Sequence, residues 1–362
     1  MENKEYLSTQ IITYLGNKRQ LLPLIGQAIE TVRTELNKDK ISFLDLFSGS
    51  GIVARYAKQY SQKIIANDLE NYSFVINSCY LANKAELDLV LMNKYYQKLK
   101  VKELEIQNGF ISELYAPKDD RNIQKGERVF YTLRNANYLD NMINNIDCYI
   151  PKEYQCFFIA PLLAQASVHV NTAGVFKGFY KDKNGVGSFG ASGQNALSRI
   201  QGKILLPFPI FSEYQTENLI FQADANNLVK DLEEVDICYI DPPYNQHPYG
   251  SNYFMLNNLA QNIRPVEIST ISGIPVDWQR SNYNKKRIIG DTLADLIKNT
   301  KAKYILLSFN NEGFLTKDAI INILSQHGNV RTLETKYNTF RGSRNLNQRE
   351  IHVKEYLFIL KK

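Results

Sequence analysis

The chain has 362 residues, of which 44% are hydrophobic and 22% charged, and its formal net charge is +6. This is the composition of an ordinary globular protein with enough apolar residues for a sizeable core, and the length favours one large domain with a smaller one inserted or appended. The mildly basic balance is compatible with a polyanionic partner. Four scattered cysteines without a CxxC pair argue against a zinc site and favour buried thiols in a reducing compartment.

No apolar signal core opens the chain, and no run approaches the roughly 18 apolar residues of a membrane span. We therefore expect a soluble, cytoplasmic protein.

The first helical pattern follows a turn at Gly16–Asn17, with apolar residues at helical spacing over Leu21–Ile29. Tyr14 and Lys18 lie at the entrance of this helix. Taken alone, they fit a surface aromatic and a solvated lysine. A position of Tyr14 and Lys18 beside a ligand is favoured only when they are considered together with the motifs described below.

A strand, a glycine turn and the start of a helix follow over residues 41–58. Gly49 and Gly51 would let a ligand approach the backbone, and the helix N-terminus offers unpaired N–H groups. The dinucleotide fingerprint would need glycine at Ala54, so no pyrophosphate is implied. Asp45, at the end of the strand, instead suits a cationic or amine-bearing ligand.

Two other short strands also end in acids. Ile64–Asp68 ends roughly 20 residues after the glycine turn, where an acid commonly binds ribose hydroxyls. Asp68 could instead cap the next helix. We favour ribose binding, because strand, glycine turn, helix, strand and acid repeat the order of a nucleoside-binding half-sheet. Asp224, near the end of Leu219–Ala225, could edge the same pocket or cap its own helix.

The character of the chain changes between residues 72 and 220. Helical patterns at 72–106 and 127–146 precede a loop-rich stretch, Asn171–Pro209, with a tight-turn signal at Asn184–Gly185. An ordinary surface loop is possible, although loops of this length usually carry a function. The stretch mixes glycines and aromatics with lysines that suit phosphate contacts, namely Lys177, Lys181 and Lys183.

Residues 235–244 combine a buried strand with an abrupt end. Two prolines follow Asp241 and cannot continue a central strand, because proline lacks an N–H and has a fixed φ. The chain therefore leaves the sheet at the carboxyl edge, where open α/β sheets bind ligands. The Asp241 carboxylate and the carbonyl of Pro242 can accept hydrogen bonds, and the ring of Tyr244 can stack on a flat group. Together they suit an aromatic amine.

The C-terminal part predicts a helix over 290–299, a buried strand over Lys303–Asn311 and a hairpin that pairs Val330–Tyr337 with Ile351–Leu360. Basic surface loops are usually solvated, yet the tip of this hairpin suits a phosphate backbone. The residues of this tip that could contact such a backbone are Arg341, Arg344 and Asn345.

In content and order these motifs resemble the DNA adenine-N6 methyltransferases of the Dam-like (D12) class. The resemblance rests on Tyr14–Lys18, Asp45–Gly51, Asn67–Asp68 and Asp241–Tyr244, with later elements at Ser308–Asn310 and Arg344–Asn345. It implies an α/β fold with a Rossmann-like S-adenosylmethionine-dependent methyltransferase sheet in residues 1–71 and 221–362, an inserted target-recognition region at 72–220 and a C-terminal β-hairpin.

The resemblance also implies S-adenosylmethionine as methyl donor, without a metal. Tyr14 stands where this family often has tryptophan, so an aromatic contact is kept. By position, the donor's pocket would be formed by Tyr14, Lys18, Asp45, Phe47, Gly49, Gly51, Asp68, Asp224 and Asp241. The target adenine, flipped out of double-stranded DNA, would be held by Asp241, Pro242 and Tyr244. A bacterial, nucleoid-associated modification enzyme with a separate cognate restriction endonuclease is the implied setting.

Other functions compete with this interpretation. Adenine-N6 methylation of RNA uses the same chemistry, and cytosine-N4 enzymes more often carry serine in place of Asp241. A nucleic-acid-binding module with a relict cofactor site is opposed by the intact Asp241 and Tyr244. A nucleotide-binding oxidoreductase is opposed by Ala54.

Overall fold

A computed structural model describes residues 2–102, 109–191, 193–194, 196–338 and 352–362. The strands are β1 Ile41–Asp45, β2 Ser61–Asp68, β3 Glu217–Gln222, β4 Val235–Ile240, β5 Ala302–Asn310, β6 Asn329–Asn338 and β7 His352–Lys361. The helices are α1 Lys4–Ser8, α2 Leu22–Glu35, α3 Ile52–Ala57, α4 Asn71–Tyr80, α5 Leu89–Lys102, α6 Phe110–Tyr115, α7 Leu133–Tyr149, α8 Lys152–Val168, α9 Leu197–Gln201, α10 Ala225–Asp231, α11 Tyr249–Asn252, α12 Phe254–Gln261, α13 Ile289–Asn299 and α14 Lys317–Ser325. In the described ranges no helix is long and apolar enough to cross a membrane.

All seven strands form one sheet in the order β3-β2-β1-β4-β5-β7-β6. The first five strands run parallel, and β7 lies antiparallel between β5 and β6. The predicted α/β sheet and C-terminal hairpin are thus confirmed. The strand order reverses between β1 and β4, and this reversal is where open α/β sheets bind ligands.

Strand register brings three acids to this reversal. Asp45, the last residue of β1, pairs with Ala66 of β2 on one side and with Tyr239 of β4 on the other. Asp68 lies two residues beyond Ala66, and Asp241 lies two residues beyond Tyr239. Because side chains alternate along a strand, all three acids lie at the same carboxyl edge and follow the same pleat.

Helices cover both faces of the sheet. Phe43 of β1 packs into an apolar cluster with α2 and α3, whereas its neighbour Leu44 packs into a second cluster with α10, α13 and α14. All six residues of β4 are buried. Burial on both faces explains why this strand has a continuous apolar sequence rather than an alternating one.

A third apolar cluster unites helices of the region 72–220 with α12, which lies after the Asp241 segment. The described part of the pattern at 72–106 contains two helices, α4 and α5, while residues 103–106 lie outside the described residues. The pattern at 127–146 begins as a helix only at Leu133, after the N-cap Thr132. Helix α8 was not predicted. Its residues Phe157–Leu163 are all buried, and a helix that is apolar all round shows no amphipathic period.

Candidate active site

Asp45 is a buried carboxylate at the centre of the site, with 1% of its surface exposed. Its Oδ2 accepts a hydrogen bond from the backbone N–H of Ala54 at 3.1 Å, while Oδ1 is buried with no hydrogen-bond partner among the described residues. Burial, and then the charge of Asp241, raise the pKa of Asp45 well above its usual value. The free oxygen therefore suits a donor supplied by a ligand.

The glycine turn closes tightly around this acid. Gly49 has a φ of +51°, and a Cβ there would lie 2.7 Å from the ring of Tyr14. The Gly49 N–H donates to Asp68 Oδ2 at 2.8 Å. Gly51, with a φ of +71°, begins α3, and a Cβ there would lie 2.4 Å from Asn77 Oδ1. Both positions require glycine on conformational and steric grounds.

Asp68 connects the glycine turn at Gly49 with the turn at Glu70, and it does not cap α4. Its Oδ1 accepts from the N–H of Glu70 at 2.9 Å, and α4 begins after Glu70 with no side-chain cap. Burial raises the pKa of Asp68. Asp224, in contrast, does cap its helix, accepting from the Asn227 N–H at 3.1 Å, and it also lines the cavity described next.

A cavity lies over these strand ends, and its empty space of about 870 Å³ includes the solvent to which it opens. Phe47 meets Tyr283 edge-to-face, with ring centroids 5.2 Å apart, and the two rings form an aromatic wall of the cavity, which Asp224 also lines. Gly51, Pro242 and Tyr244 are not among the lining residues. The predicted site residues that line the cavity are Tyr14, Lys18, Asp45, Phe47, Gly49, Asp68, Asp224 and Asp241.

Tyr14 is held by three tyrosines that sequence reasoning did not identify. Its ring stacks on Tyr249 and Tyr253, with both centroid distances 5.0 Å, and its hydroxyl lies 3.1 Å from that of Tyr72. Tyr249 and Tyr253 follow the Asp241 segment closely, and this polar and aromatic loop was the only signal that could have found them. The stack joins the N-terminal segment to the β4 loop.

Asp241 forms an ion pair with Lys18, whose Nζ lies 3.1 Å from Asp241 Oδ1. Burial raises the pKa of Asp241 to about 6, against the opposing effect of Lys18, and Glu355 adds to the rise. Burial disfavours the charge of Lys18, but Asp241 and Glu355 outweigh burial and raise the pKa of Lys18. The pair thus keeps a cation and a carboxylate together in a site rich in acids.

Tyr244 lies beside this ion pair with 9% of its surface exposed. Its ring is 4.7 Å from that of Phe309, and its hydroxyl accepts a hydrogen bond from Asn310 Nδ2 at 2.9 Å. Lys18 Nζ lies 5.7 Å from the ring centroid. The polar end of β5 was visible in the sequence, but its contact with Tyr244 was not.

The candidate DNA-binding lysines lie on the described surface. Lys177 is exposed. Burial of His247, and then the charge of Lys177, lower the pKa of His247, which follows Tyr244 by three residues. Lys181 Nζ lies 5.0 Å from the ring centroid of Phe179, and Lys183 is exposed. Outside the described residues lie Arg341, Arg344 and Asn345. No cluster of His, Cys, Asp or Glu that could hold a metal occurs in the described ranges.

Comparison with known proteins gives the family. Residues 14–323 match the D12 class N6 adenine-specific DNA methyltransferases. The chain is 30% identical to the Type II methyltransferase M.NlaIII of Neisseria lactamica, over 97% of this chain and 99% of that protein. It is 29% identical to the Type II methyltransferase M.CviAII of Paramecium bursaria Chlorella virus 1 over 96% and 98%, and to the modification methylase StsI of Streptococcus sanguinis over 96% and 52%. The chain belongs to the D12 class of N6 adenine-specific DNA methyltransferases.

Proposed function

We propose that this DNA methyltransferase transfers a methyl group from S-adenosylmethionine to N6 of an adenine flipped out of double-stranded DNA. The observation that carries the proposal is the placement of Asp241, ion-paired with Lys18, on the wall of the cavity and next to Tyr244. The Type II relatives support a role as the modification part of a restriction–modification system, with any cognate endonuclease acting separately.

The charge and the aromatic lining of the cavity support S-adenosylmethionine as the ligand. Its buried acids favour a ligand with cationic groups and hydroxyl donors, and Asp45 Oδ1, unpartnered among the described residues, suits an ammonium group. Asp68 would accept from ribose hydroxyls, and the aromatic wall formed by Phe47 and Tyr283 suits contact with a purine. A pyrophosphate would instead face three carboxylates.

In the proposed mechanism, Asp241 and the Pro242 carbonyl activate the amine. The lone pair of an exocyclic amine is delocalised into the ring, so the amine is a poor nucleophile. Two acceptors that bind its two protons would favour localisation of the lone pair, and Tyr244 would stack on the base. S-adenosylmethionine, when bound, supplies the electrophilic methyl group. The protein contributes alignment of the amine with it.

Residues 72–220 are proposed as the target-recognition region, and residues 1–71 and 221–362 as the catalytic domain. Lys177 would contact the DNA backbone beside the target base, because it lies near His247 in the loop that follows Tyr244. Lys181 and Lys183 flank the tight turn at Asn184–Gly185, where the Asp182 N–H donates to the Val186 carbonyl. Exposed lysines on such a turn suit phosphate contacts.

The proposed function is tested by incubating the protein with labelled S-adenosylmethionine and either plasmid DNA or RNA. Modified bases are then located by sequencing. We expect label in DNA, at N6 of adenines within one short sequence. Label in RNA alone, or at cytosine N4, would overturn the proposal.

Ligand binding gives a prediction that does not depend on catalysis. S-adenosylmethionine at about a hundred times its Kd should stabilise the protein by about 2.7 kcal/mol. NAD should give little stabilisation, and Asp45→Asn should lose most of the effect, since it weakens the acceptor at the centre of the cavity. Thermal shift measures all three. Stronger stabilisation by NAD would show that the pocket has been misassigned.

The ion pair predicts a pH dependence. Asp241 must be ionised to accept hydrogen bonds from the amine, and burial raises its pKa to about 6. The active carboxylate therefore predominates above that pH, and kcat/KM should fall as the pH is lowered through about 6. Rates from pH 5 to 9 at constant ionic strength give the profile. A kcat/KM that stays level down to pH 5, as expected for an aspartate with its ordinary pKa of about 4, would contradict the assignment.

A further inference from the structure

The side chain of Asn310 has a fixed orientation. Its Oδ1 accepts a hydrogen bond from the backbone N–H of Glu312 at 3.0 Å, so the amide nitrogen must point the other way. That nitrogen donates to the Tyr244 hydroxyl at 2.9 Å and to Glu355 Oε1 at 3.5 Å. The two amide hydrogens therefore point at Tyr244 and at Glu355.

Glu355 is a buried acid that the mechanism above does not use. It pairs with Asn310 across the antiparallel strands β5 and β7, and 3% of its surface is exposed. Its Oε2 has no hydrogen-bond partner within the described part of the chain. A carboxylate costs free energy when it is buried in this way, so its presence behind the site calls for a physical reason.

We propose that Asn310 and Glu355 are positioning residues that hold the ring of Tyr244 in the orientation that stacks on the flipped adenine. The inference rests on the proposed function. Glu355 fixes one hydrogen of the Asn310 amide, the Glu312 N–H fixes its oxygen, and the remaining hydrogen anchors the phenol. Phe309, packed 4.7 Å from the ring, restrains it from the side. The ring is thus ordered before the base arrives, and ordering in advance lowers the entropic cost of stacking.

The negative charge of Glu355 also acts on Asp241 and raises its pKa. Asp241 is faced by Lys18 from the N-terminal segment, Asp45 from β1, Tyr239 from β4 and Tyr249 from α11. Among these groups Lys18 opposes the effect of Glu355. Removing the Glu355 charge should therefore shift the acid limb of the pH profile downward.

A double-mutant cycle tests the anchor. Tyr244→Phe removes the acceptor, and Asn310→Leu removes the donor at a similar side-chain volume and leaves no group to which the phenol could donate. Base flipping is followed by the fluorescence of 2-aminopurine placed at the target adenine, once sequencing has located that adenine. We expect each single variant to reduce the flipped fraction about tenfold and the double variant to reduce it no further, since both substitutions remove the same hydrogen bond between Asn310 and Tyr244.

Asn311→Leu is the matched control. It makes the same substitution at the next residue, which is exposed and whose side-chain oxygen accepts from the Lys354 N–H. Its flipped fraction should match that of the wild type. Glu355→Gln should lower the pH of the acid limb.

Several outcomes would overturn the inference. Independent, multiplicative effects of the two substitutions would mean that Asn310 has only a structural role. Should Asn310→Leu fail to fold, Tyr244→Phe alone decides, because flipping at the wild-type level would show that the hydroxyl anchors nothing. If the acid limb of Glu355→Gln stays at the wild-type pH, the charge of Glu355 does not act on Asp241. A wild-type protein that leaves DNA unmethylated would instead refute the proposed function.

Discussion

Asp241→Ala should reduce kcat for DNA methylation by about 10²- to 10³-fold, the range seen when one preorganised hydrogen-bonding group is removed from an active site. Asp241 is the carboxylate proposed to bind the N6 protons, and a backbone carbonyl alone cannot orient both. Single-turnover methylation with labelled S-adenosylmethionine measures the chemical step.

The same strand offers a matched control for this substitution. Asp236 is also on β4 and 3% exposed, but it lies at the opposite end of the strand. There Lys38 and Lys303 donate to it at 2.8 and 3.2 Å. Asp236→Asn should lower stability and leave kcat unchanged. An Asp241→Ala protein that methylates DNA at the normal rate would remove the catalytic assignment.

Binding should separate from chemistry in the Asp241 variant. The Lys18 ammonium loses its ion-pair partner, yet the glycine turn, Asp68 and the aromatic wall of Phe47 and Tyr283 are unchanged, so S-adenosylmethionine should still stabilise the protein. DNA contacts proposed for the region 72–220 are also untouched. A loss of both binding and catalysis would point to misfolding, and circular dichroism distinguishes that case.

The acids of the site were predictable because parallel sheet geometry depends little on distant sequence. Each of Asp45, Asp68 and Asp241 comes at or directly after the end of an apolar run, and parallel strands bring such ends to one edge. The glycine turn could be predicted for the same reason. Its geometry requires a positive φ at Gly49 and Gly51, and the sequence shows where only glycine adopts it.

The groups that position those acids could not be predicted, because they come together only through tertiary packing. Tyr249 and Tyr253 stack on Tyr14 from more than two hundred residues away, and Glu355 reaches Asn310 across an antiparallel pair. A sequence shows neither the register of that pair nor the direction of its side chains. The helical region was also harder to predict, since uniform burial hid the period of α8.

Lys18→Met should have the second largest effect, and that effect should depend on pH. Lys18 Nζ lies 3.1 Å from Asp241 and opposes the effect of burial on its pKa. Without the ammonium, Asp241 remains near Asp45 and Glu355, so its pKa rises further above about 6. A nearby cation typically lowers a carboxyl pKa by roughly 1 to 3 units, so kcat/KM at pH 7 should fall roughly two- to a hundredfold.

The sign of this effect distinguishes it from simple damage to the pocket. Because the active form is the carboxylate, raising the pH should restore much of the lost activity, and the acid limb should move upward. Lys18→Arg keeps the charge and should keep the limb close to its wild-type position. These profiles are measured with saturating S-adenosylmethionine, because Lys18 also lines the cavity. A raised KM for S-adenosylmethionine with an unmoved acid limb would show that Lys18 serves the donor and not Asp241.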